Sequence, residues 1–137
     1  MLDMGLALVM ALICIFVHFE AVLLIEKLVR HVRSVRKSLL ATWTALFFAH
    51  ILEIWIYAFA YLACARVGIG ELKGAETIVD YAYYSAVVYT TLGFGDIVPD
   101  AGLQLLTGSE ALVGLSLIAW SATVTYGRVI LQQNIGD

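Results

Sequence analysis

Residues 83–96 read Tyr83-Tyr84-Ser85-Ala86-Val87-Val88-Tyr89-Thr90-Thr91-Leu92-Gly93-Phe94-Gly95-Asp96, and they lie between apolar segments long enough to cross a membrane. A helix-like apolar run leads into the glycines, and Asp96 and Pro99 follow them. Gly93 and Gly95 alternate with the bulky Leu92 and Phe94, so the backbone can take conformations closed to most L-residues. Successive carbonyl oxygens can then point the same way, as a ladder able to replace the hydration shell of a bare cation. The Thr91 hydroxyl adds an oxygen at the lowest rung.

Composition fits such a setting. The chain of 137 residues is 62% hydrophobic and 14% charged, with a mean hydropathy of +0.92, which excludes an ordinary soluble domain. It can hold a few spans and little else, and no regulatory domain fits after residue 127. A single proline permits long helices. Cys14 and Cys64 fall in apolar segments and read as packing residues rather than a disulfide. There is no zinc-spaced His/Cys cluster, no phosphate-binding glycine loop and no nucleic-acid patch, so neither a cofactor nor a nucleic-acid partner is expected.

Three segments can cross about 30 Å of hydrocarbon: roughly residues 4–25, 39–63 and 103–126. The apolar stretch Ile78 to Thr90 is too short to span and fits a re-entrant half-helix buried in protein or lining water. Lys27, Arg30, Arg33, Arg36 and Lys37 crowd the link between the first two spans, which predicts that link to be cytoplasmic. The N-terminus is then outside, the loop from Arg66 through Pro99 is outside, and the third span returns inward with Arg128 at its inner end. The first segment carries Asp3 and lacks a basic start, so it reads as a span and not a signal peptide. Trp43, Tyr57, Tyr61 and Tyr126 stand near predicted interfaces, as aromatic belts do.

The stretch from Tyr83 to Asp96 resembles the pore helix and filter of potassium channels, closest to the pore module of bacterial and two-pore-domain ion channels. The resemblance covers about residues 40–127. It implies an all-α membrane protein: three transmembrane helices, a re-entrant pore helix and a selectivity-filter loop, in a tetrameric pore. Residues 1–38 would form an N-terminal helix with a basic cytoplasmic segment, and residues 39–137 the pore domain. Thr91, Leu92, Gly93 and Phe94 would coordinate K+, supported by Gly95 and Asp96. One re-entrant segment supplies one quarter of a ring, so a homotetramer follows from the resemblance and from closed symmetry. The expected protein is a potassium-selective channel subunit and not an enzyme, in a membrane such as the bacterial plasma membrane. A weakly selective cation channel and a non-conducting assembly subunit are the rival readings.

The chain departs from the commonest pattern. Phe94 stands where many members have Tyr. Val87 stands where some have a Glu that pairs with the filter Asp, which leaves Tyr84 as the expected partner of Asp96. Gly108 and Gly114 interrupt the third span, as a hinge or as close-packing points. Ser116, Ser121, Thr123 and Thr125 suit a hydrated cavity lining. Trp120 would narrow the inner mouth or anchor in lipid.

Five ionisable residues, His18, Glu20, His50, Glu53 and Glu110, fall inside the predicted spans, where such groups are costly and face protein or water. Along opposed helices His18 and His50 come to similar depths, and Glu53 and Glu110 share a shallower level, which predicts a carboxyl pair. His50-x-x-Glu53 also places two metal ligands on one helical face, without a full ligand set. Finally, Lys27, Arg30, Arg33 and Arg36 recur every third residue. Voltage sensors share that spacing, but the position favours an amphipathic interfacial helix on anionic lipid, like the slide helix of inward rectifiers.

Overall fold

The computed structural model describes residues 2–32 and 34–133. In chain order the elements are α1 (Leu2–Val29), α2 (Val35–Val67), β1 (Leu72–Lys73), α3 (Ile78–Tyr89), β2 (Val98–Pro99) and α4 (Gln104–Gln133). Among the described residues, α1, α2 and α4 are long and apolar enough to cross a membrane. This is an all-α membrane protein. Each helix runs several residues past its predicted span, because polar residues at a membrane surface extend a helix as readily as they end one.

Local chemistry sets the ends. Gly68 closes α2 in the left-handed region, and the Ile69 N–H reaches back to the Cys64 carbonyl at 3.0 Å, as in a Schellman cap. Thr77 caps α3 in a reciprocal box with Asp80. The Asp80 carboxyl accepts from the Thr77 N–H at 2.7 Å, the Glu76 N–H at 3.0 Å and the Thr77 hydroxyl at 2.9 Å. These donors, led by the Thr77 amide, hold it below the usual aspartate range.

The core is aromatic. Tyr57 and Tyr61 of α2 and Tyr81 and Tyr84 of α3 pack with Leu103, Leu106, Val113 and Leu117, and Met10 and Cys14 of α1 join them. Tyr57 and Tyr61 are both fully buried, so they are core residues and not the interfacial belt expected from their position. Trp43 and Tyr126 remain exposed, as a belt requires. Cys14 and Cys64 are buried free thiols. Leu8, Leu12 and Phe16 project outward from α1, where hydrocarbon rather than water would meet them.

The basic link differs from expectation. Among the described residues, no interfacial helix separates the first two spans. Lys27 ends α1, Arg30 and His31 form a turn, and Arg36 and Lys37 open α2, all exposed; Arg33 lies outside the described residues. The segment is divided between two long helices: Val29 is buried at the end of α1 and Val35 opens α2.

A small antiparallel ribbon ties together the two flanks of α3 and the Gly-rich segment. Leu72 pairs with Pro99 and Lys73 with Val98, and the Asp100 N–H bonds the Glu71 carbonyl at 3.0 Å.

Gly114 lies in an unbroken α4, buried against the last turn of α3. A Cβ there would overlap the Tyr89 carbonyl, whereas one at Gly108 would meet nothing within 4 Å. Close packing is therefore what this glycine supplies in the conformation described. Gly114→Ala should cost about 1–3 kcal/mol by overpacking, and Gly108→Ala should be neutral or stabilising by up to about 1 kcal/mol. Thermal unfolding in detergent checks the contrast; equal melting temperatures would refute it.

Candidate functional site

The Gly-rich segment starts where α3 ends. Thr90 caps the helix, and the amides that follow fold back onto its last carbonyls: Thr91 N–H to Val88 at 2.8 Å and Leu92 N–H to Val87 at 2.9 Å. From there the chain alternates. Thr91, Gly93 and Gly95 have φ of 59°, 62° and 77°, with Leu92 and Phe94 between them on the ordinary side. Alternating left- and right-handed residues turn successive carbonyls toward one side of the strand. Glycine makes this cheap at 93 and 95. At Thr91 it is not: a β-branched residue at positive φ is a genuine outlier, and strain of that kind clusters at ligand clamps. All residues from Thr90 to Asp96 are exposed on the single chain, so the carbonyl face has room for a ligand or for other chains.

Side chains of α3 brace this segment from behind. The Tyr83 hydroxyl donates to Asp96 Oδ2 at 2.8 Å, which places the Asp96 partner one residue earlier than expected. That acceptor pushes the Tyr83 phenol up. Tyr84 points the other way along the helix, its hydroxyl 2.9 Å from Thr107 Oγ1 of α4. Val87 is buried and packs instead of pairing.

The expected Glu53–Glu110 pair does not form. Each fully buried carboxyl anchors its own network. Glu110 Oε2 accepts from Tyr61 at 2.5 Å, and Glu110 Oε1 lies 2.5 Å from Ser85 Oγ, itself 2.8 Å from the Ile54 carbonyl. Glu53 instead turns to the histidines: Oε1 is 2.9 Å from His18 Nδ1, Oε2 is 3.2 Å from His50 Nδ1, and Tyr89 also bonds Oε2. The expected common depth of the histidines holds, with ring centroids 5.1 Å apart. Glu20 takes no part and is exposed. The two carboxyls meet α3 one turn apart, Glu110 at Ser85 and Glu53 at Tyr89, and counting along two axes says nothing about which face each presents.

On α4, Ser116 and Thr123 stay exposed but bond carbonyls of their own helix at Leu112 and Ala119. Ser121 is buried and lies 3.0 Å from His50 Nε2 and 3.2 Å from His18 Nε2. Trp120 stacks beside His18 and Phe19, with ring centroids at 5.3 and 6.2 Å, so it joins α4 to α1. Sequence reasoning missed Ser85, Tyr89 and Ser121 as network members. The spacing of Ser85 and Tyr89, four residues apart on one helical face, was the available signal for the first two.

A protein-family model described as ion channel matches residues 49–131, from the middle of α2 to near the end of α4. Searches of curated proteins and of solved structures find no match.

Proposed function

Because this chain belongs to the ion channel family, we propose that it is a subunit of a homotetrameric, potassium-selective channel. K+ would pass down its gradient without a chemical step. The Thr91, Leu92, Gly93 and Phe94 carbonyls and the Thr91 hydroxyl would form the coordinating rings. The observation that carries this reading is the left-handed geometry at alternate positions 91, 93 and 95. A turn has no use for three such residues in alternation, but a carbonyl ladder requires them. Rings of carbonyls discriminate among cations by replacing their water, and four exposed segments are needed to close a ring. The test is a planar-bilayer recording of purified protein under bi-ionic K+/Na+ conditions. A reversal potential far from zero, with K+ the more permeant ion, supports the proposal; equal permeability or no current refutes it.

The same reading sets the chain in a plasma membrane, such as a bacterial inner membrane, with its N-terminus outside and the basic turn inside. Lys27, Arg30 and Arg128 line a cleft of about 600 Å³ between the ends of α1 and α4, where an anionic lipid headgroup would be neutralised. A cysteine at residue 2 should react with an impermeant external thiol reagent and one at residue 134 should not. The reverse pattern would overturn the orientation.

Tyr83→Phe removes the hydroxyl that holds Asp96. The bond is to a charged group but is exposed, so its loss should leave the fold intact and act on the mobility of Asp96. Open lifetimes in single-channel records should shorten while ion selectivity stays unchanged. Altered selectivity with unchanged lifetimes would show that Asp96 is held by something else.

A further inference from the structure

The cluster at the foot of α3 is not needed to form a carbonyl ladder, yet it is the most concentrated set of ligand-type atoms in the described chain. His18 of α1, His50 and Glu53 of α2, and Tyr89 of α3 converge there, with Ser121 of α4 behind the rings. One ligand atom from each of His18, His50 and Glu53 can be chosen so that all lie within 4.8 Å of one another. We infer that His18, His50 and Glu53, with the Tyr89 oxygen as a fourth donor, form an intramembrane site for a divalent transition-metal ion of the Zn2+ type.

Spacing is the first reason. Donor atoms about 2.0–2.1 Å from a tetrahedral zinc stand about 3.3 Å from one another. His18 Nδ1 to Glu53 Oε1 is 2.9 Å, His50 Nδ1 to Glu53 Oε2 is 3.2 Å and His50 Nδ1 to Tyr89 Oη is 2.8 Å. Each of these contacts is shorter than that edge, so the side chains would spread by a few tenths of an ångström to admit an ion.

A partner on the far side of the rings is the second. Both Nε2 atoms face the Ser121 hydroxyl, at 3.2 Å and 3.0 Å. A serine oxygen has two lone pairs and can accept an N–H from each ring. In that tautomer both Nδ1 lone pairs point at the space between Glu53 and Tyr89, as when a hydrogen-bond partner orients a histidine ligand on a metal. In the opposite tautomer the Nδ1–H groups donate to Glu53 directly, so metal binding would select the first.

Donor type selects the class. Two imidazoles with one carboxylate suit zinc and its neighbours, whereas magnesium and calcium take all-oxygen shells. A cavity of about 220 Å³ between α2 and α4 reaches His50 and Ser121, on the Nε2 side of the rings, so an ion would pass the His50 ring to reach the donor atoms. The HxxE pair on α2 lacked a full ligand set in sequence; α1 and α3 supply the missing donors. An occupied site would tie the N-terminal helix to the residue before Thr90, and it stands whether or not the channel selects potassium.

The test uses full-length protein in detergent, with any affinity tag removed. After incubation with Zn2+ and dialysis against metal-free buffer, elemental analysis should find one zinc per chain. His18→Gln and Glu53→Gln should each abolish retention, while a His31→Gln change in the basic turn should not. Ser121→Ala, which only positions the rings, should weaken binding about 10–100-fold. X-ray absorption of the wild-type zinc protein should show two imidazoles and no sulfur, and this decides the matter even where a variant fails to fold. No retained zinc in the wild type, full retention in both ligand variants, or sulfur scattering from Cys14 would each overturn the inference.

Discussion

Replacing Gly93 by Ala should abolish potassium current while leaving the protein folded and inserted. Gly93 sits at φ 62°, and a Cβ added there would meet nothing within 4 Å. The penalty is therefore the backbone's own: a left-handed conformation costs an L-residue about 1–2 kcal/mol. In a single chain that is a modest loss. In the proposed four-fold ring it would be incurred at every subunit, about 4–8 kcal/mol in all, enough to move the segment to another conformation and turn its carbonyls away. α3, the ribbon and the core do not depend on this residue, so expression and thermal stability should change little. Bi-ionic recordings check it. Unchanged K+ selectivity in the variant would remove residues 91–95 from the conduction path.

Glu110→Ala should be the most damaging single truncation outside that segment, at about 3–5 kcal/mol. From its place on α4 its carboxyl touches α2 through Tyr61 and α3 through Ser85, both at short distance. Removing it opens a cavity and strips the Tyr61 hydroxyl of its close acceptor, leaving only Thr107 at 3.4 Å. Ser85 keeps the Ile54 carbonyl, so the loss falls mainly on the joint between α2 and α4. Glu110→Gln keeps the volume and both contacts, and should cost under about 1 kcal/mol. Thermal unfolding in detergent separates the two. An Ala variant as stable as the Gln variant would show that Glu110 is not a joint.

Much of this was legible because its signals are one-dimensional. Span length and the Ile78–Thr90 half-helix depend only on runs of apolar residues, and the structure places α3 at Ile78–Tyr89. The alternation around Gly93 and Gly95 predicted left-handed positions, and Thr91 joins them. What failed depended on rotation about helix axes. Asp96 found Tyr83 and not Tyr84, because neighbouring residues on a helix point about 100° apart. Glu53 and Glu110, expected as a pair, meet α3 one turn apart, at Tyr89 and Ser85. Tyr57 and Tyr61 stand where a belt would stand, yet point inward, since sequence position fixes depth and not direction. The basic repeat misled for a related reason: a three-residue spacing looks the same whether one helix carries it or a turn interrupts it.

The two-residue ribbon has a bearing on how such a protein is made. Pairing Lys73 with Val98 joins the two ends of the stretch that contains α3 and the Gly-rich segment. Closing a loop of that size costs an entropy that grows only with the logarithm of its length, and contacts between near neighbours in sequence form early. The stretch can therefore take shape inside one chain as it emerges, before a second copy is at hand. In the proposed tetramer, association would then bring together finished parts, at a rate set by encounter in the bilayer and not by the folding of this stretch.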